Sequence, residues 1–150
     1  MSISPWELFA RKDSPDGLSI ATFDDAFEIG MGAPTCGTLT VTKAGYDQPI
    51  SVIHDASGSV VWSSDSKMLA FPRWTENRDQ NLCVLNLIDG KIEATAGRYD
   101  VLQLDSFHDG LVVGVDSPIY RPKQVRIQIL PTPKDEEGKQ VGAGDAEEAV

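Results

Sequence analysis

The sequence predicts a mainly β domain made of antiparallel strands, and two kinds of observation support this fold class. Between residues 17 and 130, apolar and polar residues alternate with a period of two, which is typical of strands with one buried face. The alternating stretches and short apolar runs are residues 18–23, 38–42, 50–53, 60–62, 68–71, 82–87, 101–104, 111–115 and 125–129. Turn-forming pairs such as Ala44-Gly45 and Asp89-Gly90 separate them, so we expect about ten strands. Asp89-Gly90 is the clearest signal of a two-residue hairpin.

The N-terminus carries the one helix signal that precedes the strands. Ser4-Pro5-Trp6-Glu7 has the pattern of a capping box, with proline at the first helical position. The Ser4 hydroxyl can accept a hydrogen bond from the Glu7 amide while the Glu7 side chain reaches back. The pattern therefore predicts a short helix over residues 5–11, packed on the β domain.

Charge and composition exclude several classes of protein. The chain has 150 residues, 13 Lys plus Arg against 23 Asp plus Glu, and a formal net charge of −10. This length fits one domain, and the negative charge argues against nucleic acid or an anionic membrane as a ligand. The first residues lack a secretory signal, and two cysteines are too few for a disulfide scaffold, so we expect a cytoplasmic protein.

The last twenty residues differ in composition from the rest. Residues 131–150 contain two prolines, three glycines and six acidic residues, with few side chains that could pack. We therefore expect a single β domain over residues 1–130, followed by a disordered acidic tail over residues 131–150.

Three segments of the chain align on a shared aspartate. Residues 14–21 align without gaps on residues 63–70, and residues 107–114 align a third time, which places Asp16, Asp65 and Asp109 at equivalent positions. A repeat of roughly 40–50 residues with a turn and several strands is typical of propeller blades.

The stretch from Val60 to Phe71 resembles the WD-repeat-like β-propeller blade of the TolB type. That family has a Trp-Ser-Pro-Asp-Gly-Lys turn followed by a Leu-Ala-Phe strand, and this chain has Trp62-Ser63-Ser64-Asp65-Ser66-Lys67 followed by Leu69-Ala70-Phe71. The similarity covers residues 59–93, and Ser64 and Ser66 replace the Pro and Gly of the motif. The resemblance implies blade-like meanders and a binding role. Because 150 residues hold three blades at most and closed propellers need about four, it implies an incomplete propeller, either an open sheet or sandwich or an oligomer.

Two segments combine aromatic and charged residues in the manner of protein-binding surfaces. In residues 71–80, Pro72 is expected to end a strand and to begin a polar loop with Trp74. The candidate partner-binding residues in this loop are Arg73, Trp74, Glu76 and Asp79. The alternative is a long hairpin with Trp74 folded back on the domain. The second segment, residues 23–28, places Asp24, Asp25 and Glu28 between two phenylalanines, which suits a basic partner or a solvated hairpin.

Histidine and cysteine offer weaker candidates for chemistry. His54 and His108 are each followed by an aspartate, but consecutive side chains point in different directions, so turn residues are the simpler interpretation. Cys83 lies in an apolar strand and is expected in the core, whereas Cys36 lies in a Pro-Thr-Cys-Gly segment that could expose its thiol. Neither a zinc spacing nor a phosphate-binding loop is present, so we expect no metal or cofactor.

These observations favour a non-catalytic, acidic protein-binding domain. Its small size, acidity and lack of a signal are similar, at the level of a class, to bacterial immunity proteins that neutralise a toxin by occluding it, with a basic toxin domain as the partner. The first alternative is a blade-like scaffold or assembly subunit. The second is a small enzyme that uses His54 or His108. The oligomeric state is left open by the sequence.

Overall fold

The computed structural model describes residues 2–129, and this part of the chain consists of eleven strands joined by turns and loops. The strands are β1 (Ala10–Asp13), β2 (Ser19–Glu28), β3 (Thr35–Lys43), β4 (Ser51–Ala56), β5 (Val61–Trp62), β6 (Met68–Trp74), β7 (Gln80–Asn86), β8 (Ile92–Ala94), β9 (Leu102–His108), β10 (Leu111–Asp116) and β11 (Lys123–Gln128). All pairings are antiparallel. Residues 2–129 contain no helix long and apolar enough to cross a membrane.

The strands form three consecutive meanders, which we call blade 1 (β1–β4), blade 2 (β5–β8) and blade 3 (β9–β11). Blades 1 and 2 share one sheet only through a single pair, Ala56 with Arg73, and blade 3 is a separate three-stranded sheet. The ring stays open in the described part of the chain. The fold is therefore mainly β, antiparallel and propeller-like without closure, as the sequence predicted.

Two hydrophobic cores hold the three blades together, one on each face of blade 2. Alternate residues of β6 point to opposite faces: Leu69 and Phe71 enter the core shared with blade 1, and Ala70 enters the core shared with blade 3. The core shared with blade 1 also holds Phe23 and Cys83, which confirms the predicted burial of this cysteine. The continuous apolar run Leu69-Ala70-Phe71 in the sequence thus reports a strand buried on both sides.

Two turns of the repeat have the same hydrogen bonds. In the first, the Asp16 carboxylate accepts from the Ser14 hydroxyl (2.6 Å) and the Leu18 amide (2.9 Å). In the second, Asp65 accepts from the Ser63 hydroxyl (2.7 Å) and the Lys67 amide (3.0 Å). These bonds, led by those from the serines, lower the pKa of both aspartates because they favour the charged form.

The same turns tie neighbouring blades to one another. The Ser66 hydroxyl accepts from the Asp16 amide of the preceding blade at 3.0 Å. The Ser64 amide donates to the Phe107 carbonyl of the following blade at 3.0 Å. Ser66 replaces the glycine of the family motif at a φ of 65°, so its hydroxyl makes a contact that glycine could not.

The third aligned segment forms a different turn. His108 pairs with Leu111, so Asp109 and Gly110 make a two-residue hairpin turn with φ values of 52° and 79°. The predicted equivalence of Asp109 to the other two aspartates therefore holds for position in the blade but not for turn geometry. Conversely, the hairpin at Asp89-Gly90 is present but wider than predicted, since the Asn86 amide donates to the Lys91 carbonyl across a four-residue loop.

The predicted helix over residues 5–11 is not present. Ser4 does accept from the Trp6 amide through its hydroxyl (3.1 Å), but only one turn forms. The carbonyls of Pro5 and Glu7 accept from the Thr35 hydroxyl of β3 instead of from amides further along a helix. Residues 10–13 become β1, because pairing with β2 gives them a full ladder of partners.

The expected end of a strand at Pro72 is also wrong. β6 continues through Pro72 to Trp74, and Pro72 pairs in register with Leu82 of β7. The Pro72 carbonyl accepts from the Ser57 amide, on the side away from β7, so the missing N–H of proline removes no bond of the β6–β7 ladder. The predicted tail over residues 131–150 lies outside the described residues.

Candidate protein-binding surface

The antiparallel meanders give the domain two ends with different composition. The turn end carries the tight turns at residues 14–18, 44–50, 63–67, 87–91 and 109–110. The loop end carries the segments 2–9, 29–34, 75–79, 95–101 and 117–122. All seven predicted partner-binding residues lie at or near the loop end, in the second half of β2, the end of β6 and the β6–β7 loop.

The two predicted patches are neighbours in the structure. Trp74 donates from Nε1 to the Thr35 carbonyl at 3.0 Å, and Thr35 pairs with Glu28 in the β2–β3 ladder. Trp74 is half-buried and belongs to β6, so its placement on a polar loop is corrected in favour of the folded-back alternative. The role of Trp74 as a partner contact stays a prediction, and it concerns the loop end of the domain.

Arg73 and Asp79 are both engaged within the chain. Arg73 donates from Nε to the His54 carbonyl at 3.1 Å. Asp79 accepts from the Thr75 hydroxyl and lies 3.3 Å from the Arg98 guanidinium, and these contacts, Thr75 foremost, lower the pKa of its carboxyl. Glu76 is exposed at the tip of this short loop.

A β-bulge turns the acidic residues of β2 outward. The β2–β3 register shifts between Asp24 and Phe27, and Asp25 has a φ of 53°. Asp25 and Glu28 are exposed, Asp24 is half-buried, and the Phe27 ring beside them is 58% exposed. The bulge therefore presents acid and aromatic side chains together, in the mixture that the sequence indicated.

A groove at the loop end was not foreseen from the sequence. It has a volume of about 650 Å³ and lies between the N-terminal segment and the β2–β3 loop on one side and the β10–β11 loop on the other. Its lining residues are Trp6, Gly32, Ala33, Pro34, Asp100, Val101 and residues 117–121. The Trp6 indole donates to the Gly32 carbonyl at 3.1 Å, which joins the two segments of the first wall.

Large apolar side chains are exposed around this groove. Tyr120 is 90% exposed and Ile119 is 65% exposed, although both line the groove, and Met31 beside Gly32 is fully exposed. A group of exposed apolar residues around a concave surface is typical of an interaction site. The Pro-flanked segment Ser117-Pro118-Ile119-Tyr120-Arg121-Pro122 was the signal in the sequence that could have indicated it.

The two histidines lie on different blades, and both are exposed. His54 has Nδ1 3.4 Å from the Thr38 hydroxyl. His108 has Nδ1 2.9 Å from the Ser64 hydroxyl and Nε2 3.2 Å from the Asp109 carboxylate, so the prediction that these consecutive side chains point apart is wrong. Ser64, His108 and Asp109 lie at the turn end, away from the groove, and the side chains of His108 and Asp109 are exposed to solvent. Within residues 2–129, no three His, Cys, Asp or Glu side chains come together as a metal site.

Cys36 is buried rather than exposed. Its thiol lies 3.8 Å from the Asp55 carboxylate, and burial, together with that charge, raises its pKa to about 11. The thiol is therefore protonated near neutral pH, which is the opposite of what a nucleophilic cysteine requires. Both cysteines are free.

Comparison with known proteins identifies the fold. No protein-family model matches the chain, and the search of curated proteins gives no match. Among solved structures, TolB from Acinetobacter baumannii superposes with a TM-score of 0.54 at 12% identity, covering 80% of this chain and 30% of that one. The β-propeller domain of the Trilobed protease from Pyrococcus furiosus (TM-score 0.47, 11% identity, 84% of this chain and 45% of that chain) and that of Cps50 (Swd1) from Myceliophteria thermophila (TM-score 0.46, 15% identity, 91% and 41%) are also similar. The chain thus spans less than half the length of each of these proteins, and its fold is that of a partial β-propeller.

Proposed function

We propose that this chain is a non-catalytic protein-binding module whose loop end contacts the partner. The observation that carries the proposal is the groove lined by Ile119 and Tyr120, because it combines a concave wall with large exposed apolar side chains. The structural likeness to TolB supports a propeller-type scaffold, and such scaffolds commonly serve as binding platforms.

The partner that fits this surface is a basic protein. The exposed acids of the loop end are Asp25 and Glu28 on β2, Glu76 on the next blade and Asp100 in the groove, which Arg121 also lines. Acids at the rim of an interface accelerate association with a basic partner, while buried aromatic residues slow its dissociation. This arrangement is the one we expect of a cytoplasmic immunity protein that occludes a toxin domain.

The test compares two exposed tyrosines at opposite ends of the domain. Tyr120 borders the groove and Tyr46 lies at the turn end, where it is 60% exposed. The full chain, Tyr120→Ala and Tyr46→Ala are immobilised and used to capture proteins from a lysate of the native cell, and the captured proteins are identified by mass spectrometry. We expect one protein to be recovered with the wild type and with Tyr46→Ala, and to be lost with Tyr120→Ala.

Affinities measured with the purified partner then give the roles of the two kinds of residue. Truncation of an anchoring aromatic residue costs about 2 kcal/mol, roughly thirtyfold in affinity. Asp24→Lys combined with Asp25→Lys should instead slow association, most strongly at low salt. Equal losses from Tyr46→Ala and Tyr120→Ala would contradict the proposed surface.

A toxicity assay separates an immunity protein from a scaffold. If the captured partner stops growth when expressed alone, co-expression of the wild type should restore growth and Tyr120→Ala should not. If the partner is harmless, the result favours the assembly-subunit alternative.

A further inference from the structure

Within residues 2–129, blade 3 has one strand fewer than its two neighbours. Blades 1 and 2 each contain four strands, whereas blade 3 in the described part of the chain ends at β11, which pairs only with β10. The place beside β11 corresponds to the place that β8 fills beside β7 in blade 2. An open edge of this kind can pair with an added strand.

The direction of the free backbone groups on β11 follows from its pairing. The Ile129 amide donates to the Gly110 carbonyl on the β10 side. Because successive residues of a strand direct their N–H and C=O groups to alternate sides, Val125 and Ile127 also face β10. The N–H and C=O groups of Gln124, Arg126 and Gln128 therefore point outward, and these three residues are exposed.

The side chains of β11 define what an added strand must contain. Val125 and Ile127 belong to the face packed on the core shared with blade 2, and Arg126 points to the opposite face. Within blade 2, β8 covers the equivalent face of β7 with Ile92, which packs on the core, and places Glu93 opposite Val84. The outer strand of blade 2 is thus an apolar–acidic–apolar segment.

The charge of β11 also favours an apolar–acidic–apolar segment as the added strand. β11 contains Lys123 and Arg126 and no acidic residue, in a chain with a net charge of −10. An incoming acidic residue opposite Arg126 would meet a basic partner across the strand pair, and an aliphatic residue on either side of it would cover Val125 and Ile127.

We propose that β11 is a second binding site, which accepts an extended segment of a partner protein with alternating aliphatic and acidic residues as the fourth strand of blade 3. This site is separate from the loop-end groove, and Lys123 and Arg126 make its edge basic. The proposal holds whether or not the loop end binds as described above.

The test uses a labelled synthetic peptide and the full chain. The probe is an end-capped heptapeptide of sequence Thr-Ile-Glu-Ala-Glu-Ile-Thr, and the control peptide has lysine in place of both glutamates. Fluorescence anisotropy should show at least about tenfold tighter binding of the acidic peptide, because like charges would face Arg126 in the control. Absence of binding of the acidic peptide to the full chain and to the truncated chain described below would overturn the proposal.

Two variants at one position separate the backbone from the charge. Arg126→Pro removes an outward N–H while leaving the pairing with β10, and edge strands tolerate proline where the N–H faces solvent. Arg126→Ala removes the charge and keeps the N–H. We expect Arg126→Pro to weaken peptide binding by about tenfold or more. Arg126→Ala should weaken it by only a few fold at low salt. The circular dichroism spectrum should be unchanged for both variants. Equal binding by Arg126→Pro and the wild type would refute strand addition.

A third variant distinguishes a partner from the chain's own C-terminal residues. If the acidic peptide binds only after deletion of residues 134–150, the edge is occupied within the chain and the proposal of a partner strand is overturned. Equal binding with and without these residues supports it.

Discussion

The contact between the first two blade turns can be tested at Ser66. This serine has a φ of 65°, a conformation that disfavours side chains, and its buried hydroxyl accepts from the Asp16 amide. Ser66→Ala keeps the strained backbone and removes the hydrogen bond, whose net contribution is about 1 kcal/mol. Ser66→Gly removes the same bond but relieves the strain, which is worth about 0.5–1 kcal/mol after the greater freedom of glycine in the unfolded chain is subtracted.

The two variants should therefore differ in stability although both lack the hydroxyl. We expect Ser66→Ala to unfold about 1 kcal/mol more easily than the wild type, or about 4 °C lower in Tm, and Ser66→Gly to lie within about 0.5 kcal/mol of it. Urea unfolding followed by tryptophan fluorescence measures both free energies of unfolding.

The equivalent turn of blade 1 supplies a calibration of the strain. Gly17 has a φ of 74°, and a Cβ added there would meet nothing within 4 Å, so Gly17→Ala measures the backbone effect alone. The free energy of unfolding lost in Gly17→Ala should equal the difference in free energy of unfolding between Ser66→Gly and Ser66→Ala. If Ser66→Ala is as stable as the wild type, the hydroxyl contributes nothing and the reasoning about this link between blades is refuted.

Three further predictions concern the core, a thiol and the tryptophan of β6. Gly58→Ala should lower the free energy of unfolding in urea by about 1–3 kcal/mol, because the added Cβ would lie 2.7 Å from the Phe23 ring. Adding Phe23→Leu should recover part of this loss. An unchanged urea midpoint for Gly58→Ala would show that the ring can move aside. Because the Cys36 pKa is raised to about 11, iodoacetamide at pH 8 should label the native protein slowly and both Cys36 and Cys83 after unfolding, and rapid labelling of the native chain would contradict the burial. Trp74→Phe should cost about 1 kcal/mol of stability, since it removes the indole donor to β3 and keeps most of the ring, and a neutral effect would mean that this bond adds nothing.

The elements that the sequence predicted correctly are those in which side-chain pattern and pairing agree. β6 and β7 contain continuous apolar runs because both faces of blade 2 are buried, and the Ser-x-Asp turns recur because one aspartate can accept from the serine hydroxyl and from a backbone amide. Both features are local, so a single sequence reveals them.

The errors lie where distant partners decide the structure. The capping-box pattern at Ser4 is satisfied by one turn, but the carbonyls that would continue a helix accept from Thr35, thirty residues away. Pro72 predicts the end of a strand, but β6 continues because the backbone side of Pro72 that lacks the N–H faces away from β7. Neither fact can be read from neighbouring residues.

The candidate surface was predicted in part for the same reason. The acids of β2 and the β6–β7 residues were identified by their composition, and the structure brings them together through Thr35. The groove was missed because its walls come from Trp6 and from residues 117–121, which only the stacking of three blades brings together.

The most direct test of the binding surface is photo-crosslinking in the native cell. Benzoylphenylalanine is placed at Tyr120, beside the groove, and in a second strain at Tyr46, at the turn end; both positions are exposed, so both variants should fold. After irradiation, the position-120 protein should form one discrete crosslinked species containing a second protein, and the position-46 protein should form none. Crosslinking from position 46 without crosslinking from position 120 would contradict the assignment of the loop end as the face that binds the partner.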